Sequence, residues 1–171
     1  MADLEYDETV SSLRAAGCVF AEEEADILLE SAATPAELRT MLARRVAGEP
    51  LEHVVGWVAF CGRRVAVEPG VFVPRRRTEF LVECAAALRP SVLLDLCCGC
   101  GAIGLSVGGV IELHAVDVDA VAVECASRNL ADVGGRVYRG DLYDAVPPEL
   151  RGRFDAIVVN APYVPTADIG L

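Results

Sequence analysis

The chain has 171 residues, and its fifteen Lys and Arg against twenty-six Asp and Glu give a net charge of −11. That balance argues against gripping a nucleic-acid backbone, which needs a basic face. No long apolar run occurs and the N-terminus is acidic, so neither a membrane span nor a secretory signal is read, and a cytoplasmic protein is expected.

The first fifty or so residues read as helices. Leu4, Val10 and Leu13 suggest a weak first one. Ala21, Ala25, Leu28, Leu29 and Ala32 share a helical face, as do Leu38, Met41, Leu42 and Val46. Thr34-Pro35-Ala36-Glu37 is a capping box with Pro at the first helical position, and Gly48 and Pro50 end that helix. Residues 54–60 and 64–67 are strand-like runs around Cys61-Gly62, which predicts a hairpin. Residues 71–74 form another extended piece, residues 78–88 a linking helix, and Pro90 a boundary.

From Ser91 the pattern alternates. Residues 92–96 predict a buried strand, a Gly-rich turn leads to a helix at 102–107, and residues 111–116 predict a second strand. Asp119 caps a helix reaching about Leu130; residues 137–139 and 156–159 are third and fourth strands. Strand–helix alternation with continuous apolar strands predicts a parallel, doubly wound α/β sheet. That sheet reads as unfinished at Leu171, so a longer protein, or a second chain covering the growing edge, is expected.

The candidate chemistry sits at the strand ends. Asp95-Leu96-Cys97-Cys98-Gly99-Cys100-Gly101-Ala102 follows the first strand, and Gly99, Gly101 and Gly104 fit the glycine spacing of a nucleotide turn. A turn that simply needs glycine would look the same. Asp117 ends the second strand, where a carboxylate can accept from both hydroxyls of a ribose. Asp141 and Leu142 follow the third and could hold an adenine. Asn160-Ala161-Pro162-Tyr163 follows the fourth: a side-chain carbonyl, a neighbouring backbone carbonyl, a stiffened turn and a ring can grip a planar amide or amino group. Open α/β sheets bind ligands along this edge.

Other features read more plainly. The seven cysteines are read as small buried side chains of a reducing compartment. Cys97-Cys98-x-Cys100 suits a glycine-turn position better than a metal cluster, for which no paired second cluster exists. Arg75, Arg76 and Arg77 read as a solvated surface, and Trp57 and Phe60 as hairpin packing. Neither His53 nor His114 is placed as a catalytic base.

With those residues in view, the chain resembles the HemK-like protein-glutamine methyltransferases, a class I group dependent on S-adenosyl-L-methionine. The resemblance rests on residues 48–56, on Val73-Pro74-Arg75-Arg76-Arg77-Thr78-Glu79, on residues 95–104 and on residues 140–163. It implies a helical substrate-recognition domain over residues 1–52, a hairpin and linker helix over 53–88, and a partial, Rossmann-like methyltransferase domain over 89–171 with its first four parallel strands. Three positions depart from the pattern. Ala161 replaces a Pro, which resembles a sister group of the release-factor enzymes. Cys97 stands where the glycine turn begins with Gly, and Arg76 stands in a Pro-Arg-Pro motif.

The resemblance implies methyl transfer from S-adenosyl-L-methionine to the side-chain amide nitrogen of a glutamine in a protein, a release factor among the candidates, with no metal. Asn160, Pro162 and Tyr163 would be catalytic, and Ala161 would join them in binding the substrate. Asp95, Cys97, Cys98, Gly99, Cys100, Gly101, Asp117, Asp141, Leu142 and Asn160 would bind the cofactor. Two other readings stay open: an amino-methyltransferase of nucleic acid, and a truncated chain that binds without turnover.

Overall fold

The computed structural model describes residues 2–161, with side chains from residue 5 onward. Pro162 and Tyr163 lie outside the described residues. The chain divides into two compact units, Met1–Trp57 and Val58–Leu171.

The first unit is built from α1 (Ala2–Ala15), α2 (Ala21–Ser31), α3 (Pro35–Val46) and α4 (Leu51–Val55). Its core joins Val10, Leu13, Ala25, Leu28, Leu38 and Met41, which are the apolar positions that recur at helical spacing. Thr34 caps α3 through its hydroxyl, which accepts from the Glu37 N–H at 3.2 Å. The Glu37 carboxylate reaches back one residue further than a capping box requires, to the Ala33 N–H at 2.8 Å. Val46, expected on the core face, is largely exposed at the end of α3.

Residues 54 and 55, read as the start of a strand, belong to α4. Gly56 closes that helix with φ +83, donating to the Glu52 carbonyl, and the strand begins only at Trp57. A pair of valines before a glycine satisfies either element; a left-handed C-terminal glycine selects the helix.

The second unit opens within a hairpin of β1 (Trp57–Phe60), whose first residue ends the first unit, and β2 (Arg63–Ala66). Its two-residue turn, Cys61-Gly62, has φ of +48 and +71, the doubly positive turn that matches strand twist. After a 3-10 turn at Arg76–Thr78, α5 (Glu79–Ala87) leads into the sheet. The sheet combines β3 (Val92–Leu96), β4 (Glu112–Asp117), β5 (Arg136–Arg139) and β6 (Ala156–Val159), with α6 (Ala102–Ser106) and α7 (Ala120–Leu130) between strands. The order is β5-β4-β3-β6, every pairing parallel. Ile111, expected as the first strand residue, is exposed just before β4.

The two faces of the sheet differ. Leu93, Leu113, Ala115, Ala156 and Val158 face a core shared with the hairpin, α5, α6 and α7. Leu94, Leu96 and Val116 face the other way, onto Val146 and Leu150 from the 3-10 turns Leu142–Ala145 and Pro148–Leu150. Among the described residues that second layer is made of turns rather than an α-helix, and Ile157 and Val159 of β6 remain about two-fifths exposed on it. The predicted incomplete Rossmann-like α/β architecture is thus present.

Not every cysteine is the buried side chain expected. Cys98, Cys100 and Cys125 are, but Cys84 is exposed on α5, and Cys18, Cys61 and Cys97 are half-buried.

Candidate active site

The site lies entirely in the second unit, along the C-terminal ends of its strands. β3 releases the chain at Leu96 into a tight turn. The Cys98 N–H donates to the Val116 carbonyl at 3.0 Å, tying the turn to β4, and the Gly101 N–H donates to the Cys98 carbonyl at 2.8 Å. Gly101 has φ +77, and a Cβ there would stand 3.2 Å from Leu130 and 3.3 Å from Ala126, so a side chain would be strained in its backbone and crowd α7. Gly104 sits where a Cβ would meet Leu113 at 3.0 Å and the Asp95 carboxylate at 3.1 Å.

Cys97 has φ +54, a left-handed backbone that favours glycine, at the position where the related pattern carries Gly. Leu142, after β5, has φ +44. Both strained residues line one cavity of about 710 Å³, a volume suited to a cofactor-sized ligand. Cys98, Gly99 and Cys100 line it as well, as do Asp117 at the end of β4 and Asp141 after β5. Asn160 and Ala161, after β6, complete that edge. The structure therefore brings nine of the sequence-predicted positions to one cavity.

Two others stand behind the wall. Gly101 shapes the turn without lining the cavity. Asp95 is fully buried, and its Oδ2 accepts from the Gly104 N–H at 2.8 Å. Its Oδ1 finds no hydrogen-bond partner among the described residues. Burial pushes this carboxyl up to about 7, partly offset by the Gly104 bond and reinforced by the Asp117 charge.

Asp117 is engaged at both oxygens. Oδ2 accepts from the Gly99 N–H at 2.8 Å and Oδ1 from the Asp119 N–H at 3.0 Å. Each oxygen keeps a further lone pair for a ligand hydroxyl. Asp119 is spoken for as the cap of α7, accepting from Val121 and Ala122 at 2.8 and 3.0 Å. The Asp141 and Asn160 side chains carry no hydrogen bond or ion pair among the described residues, so both remain open to a ligand in the cavity.

The thiols are not poised as ligands or nucleophiles. Burial pushes Cys98 upward and Cys100 up to about 12; burial and then the Asp117 charge raise Cys97.

Residues 62–169 match the family described as the methyltransferase small domain. The chain belongs to that family. A release factor glutamine methyltransferase of Bordetella pertussis is 40% identical over 143 residues, covering 78% of this chain and 52% of the relative. That of Bifidobacterium longum is 32% identical and covers 96% of this chain and 64% of its own length. A 4-amino-L-phenylalanine/4-methylamino-L-phenylalanine methyltransferase of Streptomyces pristinaespiralis is also 32% identical, over 93% of this chain and 64% of the relative. This methyltransferase-family chain thus spans about half to two-thirds of the length of the curated relatives it matches. A Podospora anserina methyltransferase solved with SAH bound aligns over 83% of this chain and 59% of its own, with TM-score 0.43 and 16% identity.

Sequence reasoning missed two groups of site residues in this family member. Asn129 on α7 uses its whole amide: Nδ2 donates to the Cys100 carbonyl at 2.8 Å and the Ala66 carbonyl at 2.9 Å, and Oδ1 accepts from the Ala66 N–H at 3.0 Å. It clamps β2 to the glycine turn. The signal was present as a polar residue inside the apolar stripe of Ala122, Cys125, Ala126 and Leu130. Arg75 and Arg77, read as solvated surface, line the cavity. All three arginines are exposed, as expected, and nothing in the run says which of them border the cavity.

Proposed function

We propose that the protein transfers a methyl group from S-adenosyl-L-methionine to the side-chain amide nitrogen of a glutamine in a protein substrate, a release factor being the first candidate. The observation that carries this reading is the Asn160 side chain, open for bonding, in the same cavity as the glycine turn, Asp117 and Asp141. The cavity suits such a cofactor: acceptor groups at the β4 and β5 ends, an apolar floor of Ile103, Val116 and Ala122, and a glycine turn that lets backbone approach closely.

The cofactor, when bound, supplies an electrophilic methyl group on a sulfonium sulfur. Asp117, kept in place by the Gly99 and Asp119 amides, accepts from the ribose hydroxyls. Asp141 and Leu142 would border the adenine, and Cys97 to Gly101 would carry the amino-acid end. Asp95 acts through Gly104 and so positions the turn.

An amide nitrogen is a poor nucleophile because its lone pair is shared with the carbonyl. The Asn160 Oδ1 and the Ala161 carbonyl accept the two N–H bonds of the substrate amide. That turns the lone pair toward the methyl group and stabilises positive charge developing on nitrogen. Pro162 and Tyr163, outside the described residues, would stiffen this grip and pack on the amide plane. Residues 1–52 would present the substrate, in the cytoplasm. The −11 charge supports a protein over a nucleic acid.

A second reading is favoured by the Streptomyces pristinaespiralis relative: the aryl amine of a free amino acid, another flat nitrogen with two N–H bonds. Transfer of a tritiated methyl group to a release factor, to 4-amino-L-phenylalanine and to DNA separates these readings. Asn160→Ala should lower transfer to the preferred acceptor by about 10²- to 10³-fold, as loss of one preorganised polar group does. Full activity in that variant would remove Asn160 from the mechanism.

A further inference from the structure

The Cys100 carbonyl and the Gly104 N–H stand four residues apart, the spacing of a helical hydrogen bond. Each is given to a side chain. The Gly104 N–H donates to the Asp95 carboxylate at 2.8 Å, and the Cys100 carbonyl accepts from the Asn129 amide at 2.8 Å. Asp95 comes from β3 and Asn129 from α7. Between them, α6 starts only at Ala102, behind the left-handed Gly101. Residues 97–100 are left as an open turn along the cavity wall.

Asparagine suits this position because its amide carries two N–H bonds and one carbonyl. Nδ2 serves the Cys100 carbonyl and the Ala66 carbonyl, the second at 2.9 Å, while Oδ1 accepts from the Ala66 N–H at 3.0 Å. An aspartate would accept there but could not donate. One side chain thus holds the turn on one side and the last residue of β2 on the other. Two more α7 side chains hold the same stretch without touching the turn. The Cys125 thiol donates to the Ala66 carbonyl at 3.3 Å, and Arg128 pairs with Glu68.

Resting on the cofactor reading given above, we infer that Asn129 is a positioning residue for cofactor binding: by taking the Cys100 carbonyl it keeps the glycine turn in the open shape that receives the cofactor's amino-acid end. Asn129 touches no part of the cofactor in this arrangement; it acts through Cys100, as Asp95 acts through Gly104.

Isothermal titration on the intact chain compares S-adenosylhomocysteine, whose amino-acid end would reach the turn, with 5′-methylthioadenosine, which lacks that end. In Asn129→Ala the first should bind about fivefold or more weakly, and the second within about twofold of the unsubstituted chain. The ratio of the two affinities is the measure that a merely structural loss would not move. Asn129→Asp keeps the acceptor for the Ala66 N–H and loses both donors, so it should follow the Ala variant. Arg128→Met cuts the neighbouring tie to Glu68 alone and should leave both affinities within about twofold. Without ligand, the Gly101 amide should exchange faster in Asn129→Ala and at the original rate in Arg128→Met. Unchanged S-adenosylhomocysteine binding in the Ala variant, equal weakening of both ligands, or an equal loss in Arg128→Met would each overturn the inference. If the unsubstituted chain bound no S-adenosylhomocysteine, the cofactor reading itself would fall and this inference with it, an outcome visible before any variant is made.

Discussion

Cys97 keeps a left-handed backbone at a position that turns the chain out of β3. A side chain there costs about 1–3 kcal/mol, whereas glycine costs the unfolded chain about 0.4–1 kcal/mol of entropy. Cys97→Gly should therefore stabilise the protein by about 1 kcal/mol, read as a higher urea midpoint at unchanged slope. Asp95 gives a prediction of the opposite kind. Its carboxyl titrates near 7 in the fold against 3.8 in the unfolded chain, chiefly because it is buried. Between those values the native state holds a proton that the unfolded state has released, so stability falls as pH rises from about 4 to 7. The loss is on the order of 4 kcal/mol over that window. Asp95→Asn keeps an acceptor for Gly104 and should flatten this slope in urea titrations from pH 4 to pH 8. An identical slope in the variant would place its origin elsewhere. Cys97 and Asp95 were both legible as motif positions in sequence. The left-handed backbone of one and the orphaned oxygen of the other were not, because both depend on how the turn folds back against β4 and α6.

At the scale of elements, α7 does more than cover the sheet. Through Asn129 it joins the hairpin to the glycine turn, three bonds from one amide. Asn129→Ala takes the side-chain partner from the Ala66 N–H and the Cys100 carbonyl, the Ala66 carbonyl keeping the Cys125 thiol, which costs about 1–3 kcal/mol. Thermal melts should show that loss, and amide exchange at Ala66 should quicken more than exchange in β3. The helices of the first unit were readable from periodicity because their cores follow the 3.6-residue repeat. α4 was not, since five residues complete little more than one turn and the valines of residues 54 and 55 suit either element. Likewise the clamp of Asn129 on Ala66 spans 63 positions, a distance over which local pattern carries no information.

The first unit has one core and the second a core on each face of its sheet, and the single Trp lies at the end of the first unit, where the indole Nε1 donates to the Ser31 hydroxyl at 3.1 Å. A ligand that binds only the second unit should raise the denaturant midpoint of that unit alone, by the mass-action rule for native-state binding. With saturating S-adenosylhomocysteine, the Trp57 fluorescence transition should stay fixed while the ellipticity transition moves to higher urea. Transitions that coincide and move together would show the units to be one cooperative body. Which segments become strands could be read along the chain, but their order could not: β6 joins β3 on the side away from β4, and nothing in its residues names that neighbour. The arrangement also has a consequence in time. Asp155, at the head of β6, binds the Ser91 and Val92 amides at the head of β3, 63 residues earlier for Val92. At about 5–20 residues per second, a ribosome needs roughly 3–12 s to deliver β6 after β3. During that interval one flank of β3 stays bare on the nascent chain, so synthesis speed and chaperone supply should set how much of this protein reaches its native state.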